Sequence, residues 1–189
     1  MLRRVLLASV RRARVAYYRA ISTGSFTGKP PRIVSPVLLL GSGAVRAGGS
    51  TLGFWPSANL TDGHIHIQTS GPSVRVTIGS GSIINNGSIL LAEGAGIEIG
   101  HDVLIGRNVE IYDSDRHELD PARRHGGTPA TGLVVIEDNV FIGSGVKIGK
   151  GVRIGRDSVI GMGSVVTRNI PTGVVAAGNP CEVVRELGL

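Results

Sequence analysis

Between residues 134 and 166 the chain reads VVIEDNVFIGSGVKIGKGVRIGRDSVIGMGSVV, and one apolar pattern recurs there every six residues without a slip. Ile136, Ile142, Ile148, Ile154, Ile160 and Val166 form one series; Val140, Val146, Val152, Ser158 and Ser164 form a second, each four residues after a member of the first. Gly143, Gly149, Gly155 and Gly161 directly follow series residues. An α-helix requires a period near ~3.6 and a plain strand one of about 2, so a strict six suits neither. It suits a parallel β-helix, in which each unit supplies a short strand and a corner and three units close a triangular turn. Successive turns then stack about 4.8 Å apart. With three six-residue units per turn, residue i lies under residue i+18, which places Ile136 under Ile154 and Ile142 under Ile160. Each inward Ile or Val contributes roughly 1.5–3 kcal/mol on burial. Because every inward residue supports the one above it, a charge at Ile148 breaks the column.

The 189 residues suffice for one sizeable core, and the repeat makes it a single elongated domain. Glycine contributes 29 residues and aromatics only 4%, as a fold with tight corners and an aliphatic core requires. The net charge of +6 is uneven: residues 1–61 hold nine Lys or Arg and no acid, whereas the rest hold 11 basic and 14 acidic side chains, a net of −3. The main body therefore lacks the basic, aromatic-studded face of a nucleic-acid binder, and no nucleic acid is expected as a partner. A lone Cys181 forbids an internal disulfide and agrees with a reducing compartment. The apolar stretch before Arg11 is shorter than a signal-peptide core, and no run approaches the ~18 apolar residues of a membrane span. A cytoplasmic protein is expected.

Residues 1–21 read as a basic amphipathic helix with Val5, Leu6, Ala13, Ala16 and Tyr17 available for an apolar side. Two roles stay open for it. It caps the coil or packs on a neighbouring subunit, or it meets an acidic partner or an anionic surface at the inner face of the membrane. Gly24, Gly28, Pro30 and Pro31 mark a connector, so that 1–32 is a helix and linker. Residues 33–73 read as degenerate coils: Leu40, Gly41 and Ala44 resemble one unit, but Arg46 falls where an aliphatic is due. Phe54 and Trp55 in this stretch are either packed cap residues or aromatic surface for an acceptor.

The coil proper spans 74–180 and ends in turns at Pro171 and Pro180, with a short tail at 181–189. Regularity begins at Ile78, with Ile84 and Leu90 in series and Ser82 and Ser88 in the small positions. After a slip at 93–96, Ile99, Ile105 and Ile111 resume with Val103 and Val109. Periodicity then stops across 112–133, YDSDRHELDPARRHGGTPATGL, which is polar and rich in turn formers. A long loop interrupting a regular solenoid usually has a function of its own.

In that loop His117 is flanked by Asp113, Asp115 and Glu118. Imidazole titrates near neutrality, so a positioned His removes a proton from a hydroxyl while its other nitrogen is held by a carboxylate or carbonyl. An exposed loop histidine without a role is the other reading of these residues. The hexapeptide run, the loop with its His and the ending VVTRNIPTGVVAAGNPCEVVREL together resemble the hexapeptide-repeat O-acetyltransferases. That group includes galactoside and maltose acetyltransferases and enzymes that modify surface polysaccharides. The resemblance spans residues 76–187.

The resemblance implies an all-β fold, a left-handed parallel β-helix with a protruding loop and a short N-terminal helix. It also implies a homotrimer with active sites between subunits, acetyl-CoA as acyl donor, a carbohydrate hydroxyl as acceptor, and no metal. His117 matches the general base, and the activated hydroxyl attacks the thioester directly. The main-chain amide at Ser144 matches the donor that stabilises the developing oxyanion. Asn85, in IINNG, matches an acceptor-binding asparagine, with Asn86 one slip away as its competitor; Asp115 is assigned to the acceptor beside it. Gly143, Ser144, Gly161 and Met162 match positions lining the pantetheine arm. Lys150 and Arg168, 18 apart and hence in one column, suit the 3′-phosphate end, and Arg185 matches an arginine near it. Phe141 departs from the tryptophan common in NVWIG.

Acyl transfer to an amine of a nucleotide sugar and a non-catalytic β-helix scaffold are the competing readings. His64, His66, His101, His117 and His125 lack the spacing of a three-histidine zinc site. Cys181, with no His nearby to activate it, reads as a buried structural thiol.

Overall fold

Residues eighteen apart do stack. In the computed structural model, which describes residues 2–55, 57 and 63–188, strands of two to six residues form three sheets of eight, six and five members. The chain visits the three sheets in turn, and parallel neighbours are one turn apart: Ile136 pairs with Ile154, Ile142 with Ile160 and Ile148 with Val166. All six are at most 1% exposed, as are Val140, Val146 and Val152. Ser158 and Ser164 fill the small positions because their hydroxyls find main-chain acceptors, Pro171 O at 2.7 Å and Gly161 O at 2.6 Å. A buried hydroxyl so paired avoids the cost of desolvation without a partner.

The stretch at 33–73 is better ordered than its sequence suggests, although residues 56 and 58–62 lie outside those described. Its inward residues are Val37, Leu39, Val45, Leu52, Ile65 and Ile67, so the true phase runs through Leu39 and Val45. The series through Leu40 and Arg46 is therefore corrected by one residue. The strand Val37–Gly41 misleads because it is apolar on both faces: one lines the core, and Leu38 and Leu40, half-buried, lie on the other beneath the N-terminal helix.

That helix, α1 (Leu2–Ile21), packs through Ala8, Arg11, Arg14, Val15 and Tyr18, a stripe at helical spacing. The side expected to be buried is instead exposed: Val5, Leu6, Ala13, Ala16 and Tyr17 all face away. Polar fastenings select the docked face. Arg14 Nη2 donates to Gly63 O at 2.9 Å, and the Tyr18 ring stacks on His64 with centroids 4.7 Å apart. No helix among the described residues is long and apolar enough to cross a membrane.

Two irregularities shape the coil. Ile84 pairs with Ile105, twenty-one residues on, because the corner at 93–96 is longer than its counterparts. Ile105 pairs with Ile142, thirty-seven residues on, because the polar loop is inserted between them. The C-terminal segment is not a free tail. Val174–Gly178 joins the eight-stranded sheet, the chain turns through a cis Asn179–Pro180 bond, and Cys181–Glu186 runs back antiparallel as the edge strand. Glu182, Arg185 and Glu186 put charge on that edge, a device that discourages further strand pairing. Cys181 is buried as expected, and burial pushes its thiol pKa up.

Candidate active site

The polar loop leaves and rejoins the coil through a narrow antiparallel neck. Ser114 bridges Thr131, the Asp115 amide donates to Ala130 O at 3.0 Å, and the Gly132 amide donates to Asp113 O at 2.8 Å. At the root of the neck Asp113 is fully buried, and its carboxylate accepts the amides of Glu93 at 2.6 Å, Gly94 at 3.0 Å and Gly96 at 2.6 Å. The long corner at 93–96 is thus wrapped around a loop residue, and the two irregularities of the coil are one structure. The sequence shows Asp113 only as one of several acids, with nothing to mark it as the brace.

His117 follows Arg116, which adopts a left-handed conformation (φ 64°) and whose amide donates to Ser114 Oγ at 2.8 Å. The imidazole is exposed and has no hydrogen-bond partner among the described residues. None of the three flanking carboxylates holds it: Asp113 is in its amide cage, Glu118 faces Arg123 at 3.8 Å, and Asp115 Oδ2 faces Lys150 Nζ at 3.2 Å. Asp115 Oδ2 is enclosed yet makes no hydrogen bond, because the lysine approaches at ion-pair distance outside hydrogen-bonding geometry. Lys150, expected at the phosphate end of the cofactor, is thus also engaged with the loop.

Beneath the loop, Tyr112 donates to Glu110 Oε2 at 2.8 Å, and Glu110 also pairs with Lys147. The hydrogen bond from Lys147 holds the Glu110 carboxyl below its usual range, whereas burial and Glu110 push the Tyr112 phenol up to about 12.

The coil side of the site is built from stacked corners. The Arg107 amide donates to Ser144 Oγ at 3.2 Å, the hydroxyl of the residue one turn above. Above Ser144 stands Met162, whose side chain carries no oxygen, and the Ser144 amide has no acceptor among the described residues. Its N–H is left available. A Cβ on Gly143 would lie 2.6 Å from Met162 N, so glycine is what lets the corners stack this closely. Gly161 stacks in turn on Ala176 and Ala177, and Met162 is 80% exposed.

Arg168 follows the last strand of the six-stranded sheet, in the column of Lys150. Arg185 lies in the edge strand of the eight-stranded sheet. Both are exposed, and the three expected cations do not share one face.

The structure separates the two asparagines. Asn86 is fully buried: its Oδ1 accepts from Ser35 Oγ at 2.6 Å and Phe54 N at 3.2 Å, and its Nδ2 donates to Phe54 O at 3.5 Å. Asn85 is partly exposed; its Oδ1 accepts from Asn86 N and Ser57 Oγ, and its Nδ2 has no partner among the described residues. His64 stacks on Tyr18, His66 Nε2 lies 3.2 Å from Gln68 Oε1, and His101 Nδ1 accepts from Ser80 N. Among the described residues no three His, Cys, Asp or Glu form a metal-ligand group.

Residues 133–168 match the family described as bacterial transferase hexapeptide (six repeats). The chain is 44% identical over 112 residues to a galactoside O-acetyltransferase of Lactococcus lactis subsp. lactis, covering 59% of this chain and 53% of the relative. It thus spans about half the length of such curated relatives. Among solved structures, the polySia-specific acetyltransferase NeuO is 26% identical with a TM-score of 0.59, covering 86% of this chain and 74% of that one. A galactoside acetyltransferase in complex with coenzyme A is 25% identical with a TM-score of 0.50, covering 96% and 82%. The fold is accordingly the left-handed parallel β-helix that the resemblance implies. Residues 133–168 thus carry the repeat of the bacterial hexapeptide transferases, and it is acetyltransferases of that type that the chain resembles in sequence and in fold.

Proposed function

We propose that the protein transfers the acetyl group of acetyl-CoA to a hydroxyl of a carbohydrate. The observation that carries the reading is the insertion of one polar loop, braced at its root by Asp113 and presenting an unpartnered His117, into a coil of the hexapeptide transferase type. His117 takes the acceptor proton as the oxygen attacks the thioester carbon. The oxyanion is met by the Ser144 amide, a preorganised donor worth a few kcal/mol in a water-poor site. The C–S bond then breaks, and imidazolium returns the proton to the departing thiolate, giving the ester and free coenzyme A. Gly143, Gly161 and Met162 line the path of the pantetheine arm, Arg168 and Arg185 meet the phosphates, and Asn85 and Asp115 meet the acceptor. Lys150 holds Asp115 in place.

An imidazole with no partner among the described residues of its own protomer suits a site completed by a neighbouring subunit. The outer face of the eight-stranded sheet supports a homotrimer: Ile83, Leu104, Phe141, Val159 and Val175 stack in continuous register along it, and Leu104 and Phe141 are 47% and 48% exposed. An exposed apolar column of this kind marks an association surface. The enzyme works in the cytoplasm, with the basic α1 free to meet the inner face of the membrane. The test is free-thiol release from acetyl-CoA across simple sugars, oligosaccharides and nucleotide-linked amino sugars. Acceptor-dependent release with a sugar hydroxyl is expected. Failure to bind coenzyme A would indicate a scaffold, and release only with amino sugars would indicate N-acylation.

A further inference from the structure

Trp55 and Arg11 line one cavity to which the acetyl-transfer step itself assigns no part. The chain leaves the coil at Gly53, whose φ of +95° and close approach to Ser35, 2.4 Å from a built Cβ, admit only glycine. Phe54 and Trp55 then project outward, each 46% exposed. They are not loosely held. The buried Asn86 amide grips Phe54 through both its N–H and its C=O, and Ser57 Oγ donates to Asn85 Oδ1 at 3.0 Å. Opposite stands α1, and the cavity between has a volume of about 470 Å³, lined among the described residues by Leu7, Ala8, Arg11 and Trp55. Small-molecule sites occupy roughly 300–1,000 Å³.

The lining defines the ligand. An exposed indole offers a flat apolar face that suits the C–H side of a pyranose ring. A guanidinium offers a planar fork that suits a carboxylate. Nothing acidic precedes Asp62 in the sequence, so no carboxylate from this arm competes for Arg11. We propose that this cavity binds an anionic carbohydrate, with a sugar ring on Trp55 and its carboxylate on Arg11. Through Ser57 the Trp55 segment is tied to Asn85, so the bound sugar is part of the acceptor. That last step rests on the acetyl-transfer reading, whereas the binding itself does not.

Trp55 is the sole tryptophan, so its fluorescence reports on the site directly. The full-length protein is titrated with trigalacturonate and with maltotriose, α1→4 trimers that differ in their carboxylates. Trigalacturonate should change the emission saturably and bind at least about tenfold tighter than maltotriose. Arg11→Gln should remove that preference, Arg11→Lys should restore part of it, and Arg12→Gln, at an exposed position outside the cavity, should leave it intact. Equal affinities, no saturable change, or an Arg11→Gln variant that still prefers the acidic trimer would overturn the proposal. Thiol release is followed in parallel. Acetylation of neutral sugars without any acidic preference would remove the bound sugar's place in the acceptor and leave acetyl transfer standing. Acidic binding without thiol release with any acceptor would do the reverse.

Discussion

Asp113 is a charged residue withdrawn from water, and its place in the fold rests on three short N–H donors from the corner at 93–96. Removing the carboxylate leaves three buried amides without an acceptor. Asp113→Ala should therefore cost at least about 3 kcal/mol in urea unfolding, and a loss below about 1 kcal/mol would show that the cage contributes little. This brace was not legible in the sequence, because a partner supplied by main-chain amides leaves no residue-type signal. The same blindness affected Asp115 and Lys150: spacing places Lys150 correctly above the coil, but only the folded loop brings a carboxylate to it. His117, by contrast, stands out as a candidate from its loop, since a polar interruption in a strict repeat is conspicuous, while its proposed role as base comes from the family resemblance.

Helix α1 was legible in extent but not in orientation. Its more apolar side faces outward, because docking is decided by Arg14 on Gly63 O and by Tyr18 on His64, contacts between residues far apart in sequence. Burial, His66 and Arg14 lower the pKa of His64 from its ordinary 6.5. The unfolded or undocked chain therefore takes up the proton first, so docking is fully supported above about pH 6.5 and weakens as pH falls through that value. Hydrogen exchange of the α1 amides should be faster at about pH 5.5 than at about pH 7.5, beyond the intrinsic pH effect on exchange. His64→Phe, which keeps a ring for Tyr18 but carries no proton, should abolish the difference. A wild-type helix equally protected at both values would contradict this role for His64.

At the scale of the molecule, the six-residue repeat specified the stacking, the inward residues and the register within 134–166, where each depends only on period, but not the phase at 33–73 or the longer spacings across the corner at 93–96 and the polar loop. The hand and the antiparallel edge strand do not depend on period and were not legible from it. The apolar column through Leu104, Phe141 and Val159, on which the proposed trimer rests, can be read only once the register is known. Phe141→Asp places a charge at the centre of that column, and sedimentation should show the proposed trimer for the wild type and a monomer with the coil intact for the variant. An unchanged trimer would place the subunit interface elsewhere. The proposed presentation of a thioester by the coil to the His117 loop is tested most directly by the rate of free-thiol release by wild type and His117→Ala on an acceptor that the wild type turns over. A fall of about 10²–10⁴-fold with coenzyme A affinity unchanged is the predicted result; equal turnover by the two proteins would contradict it.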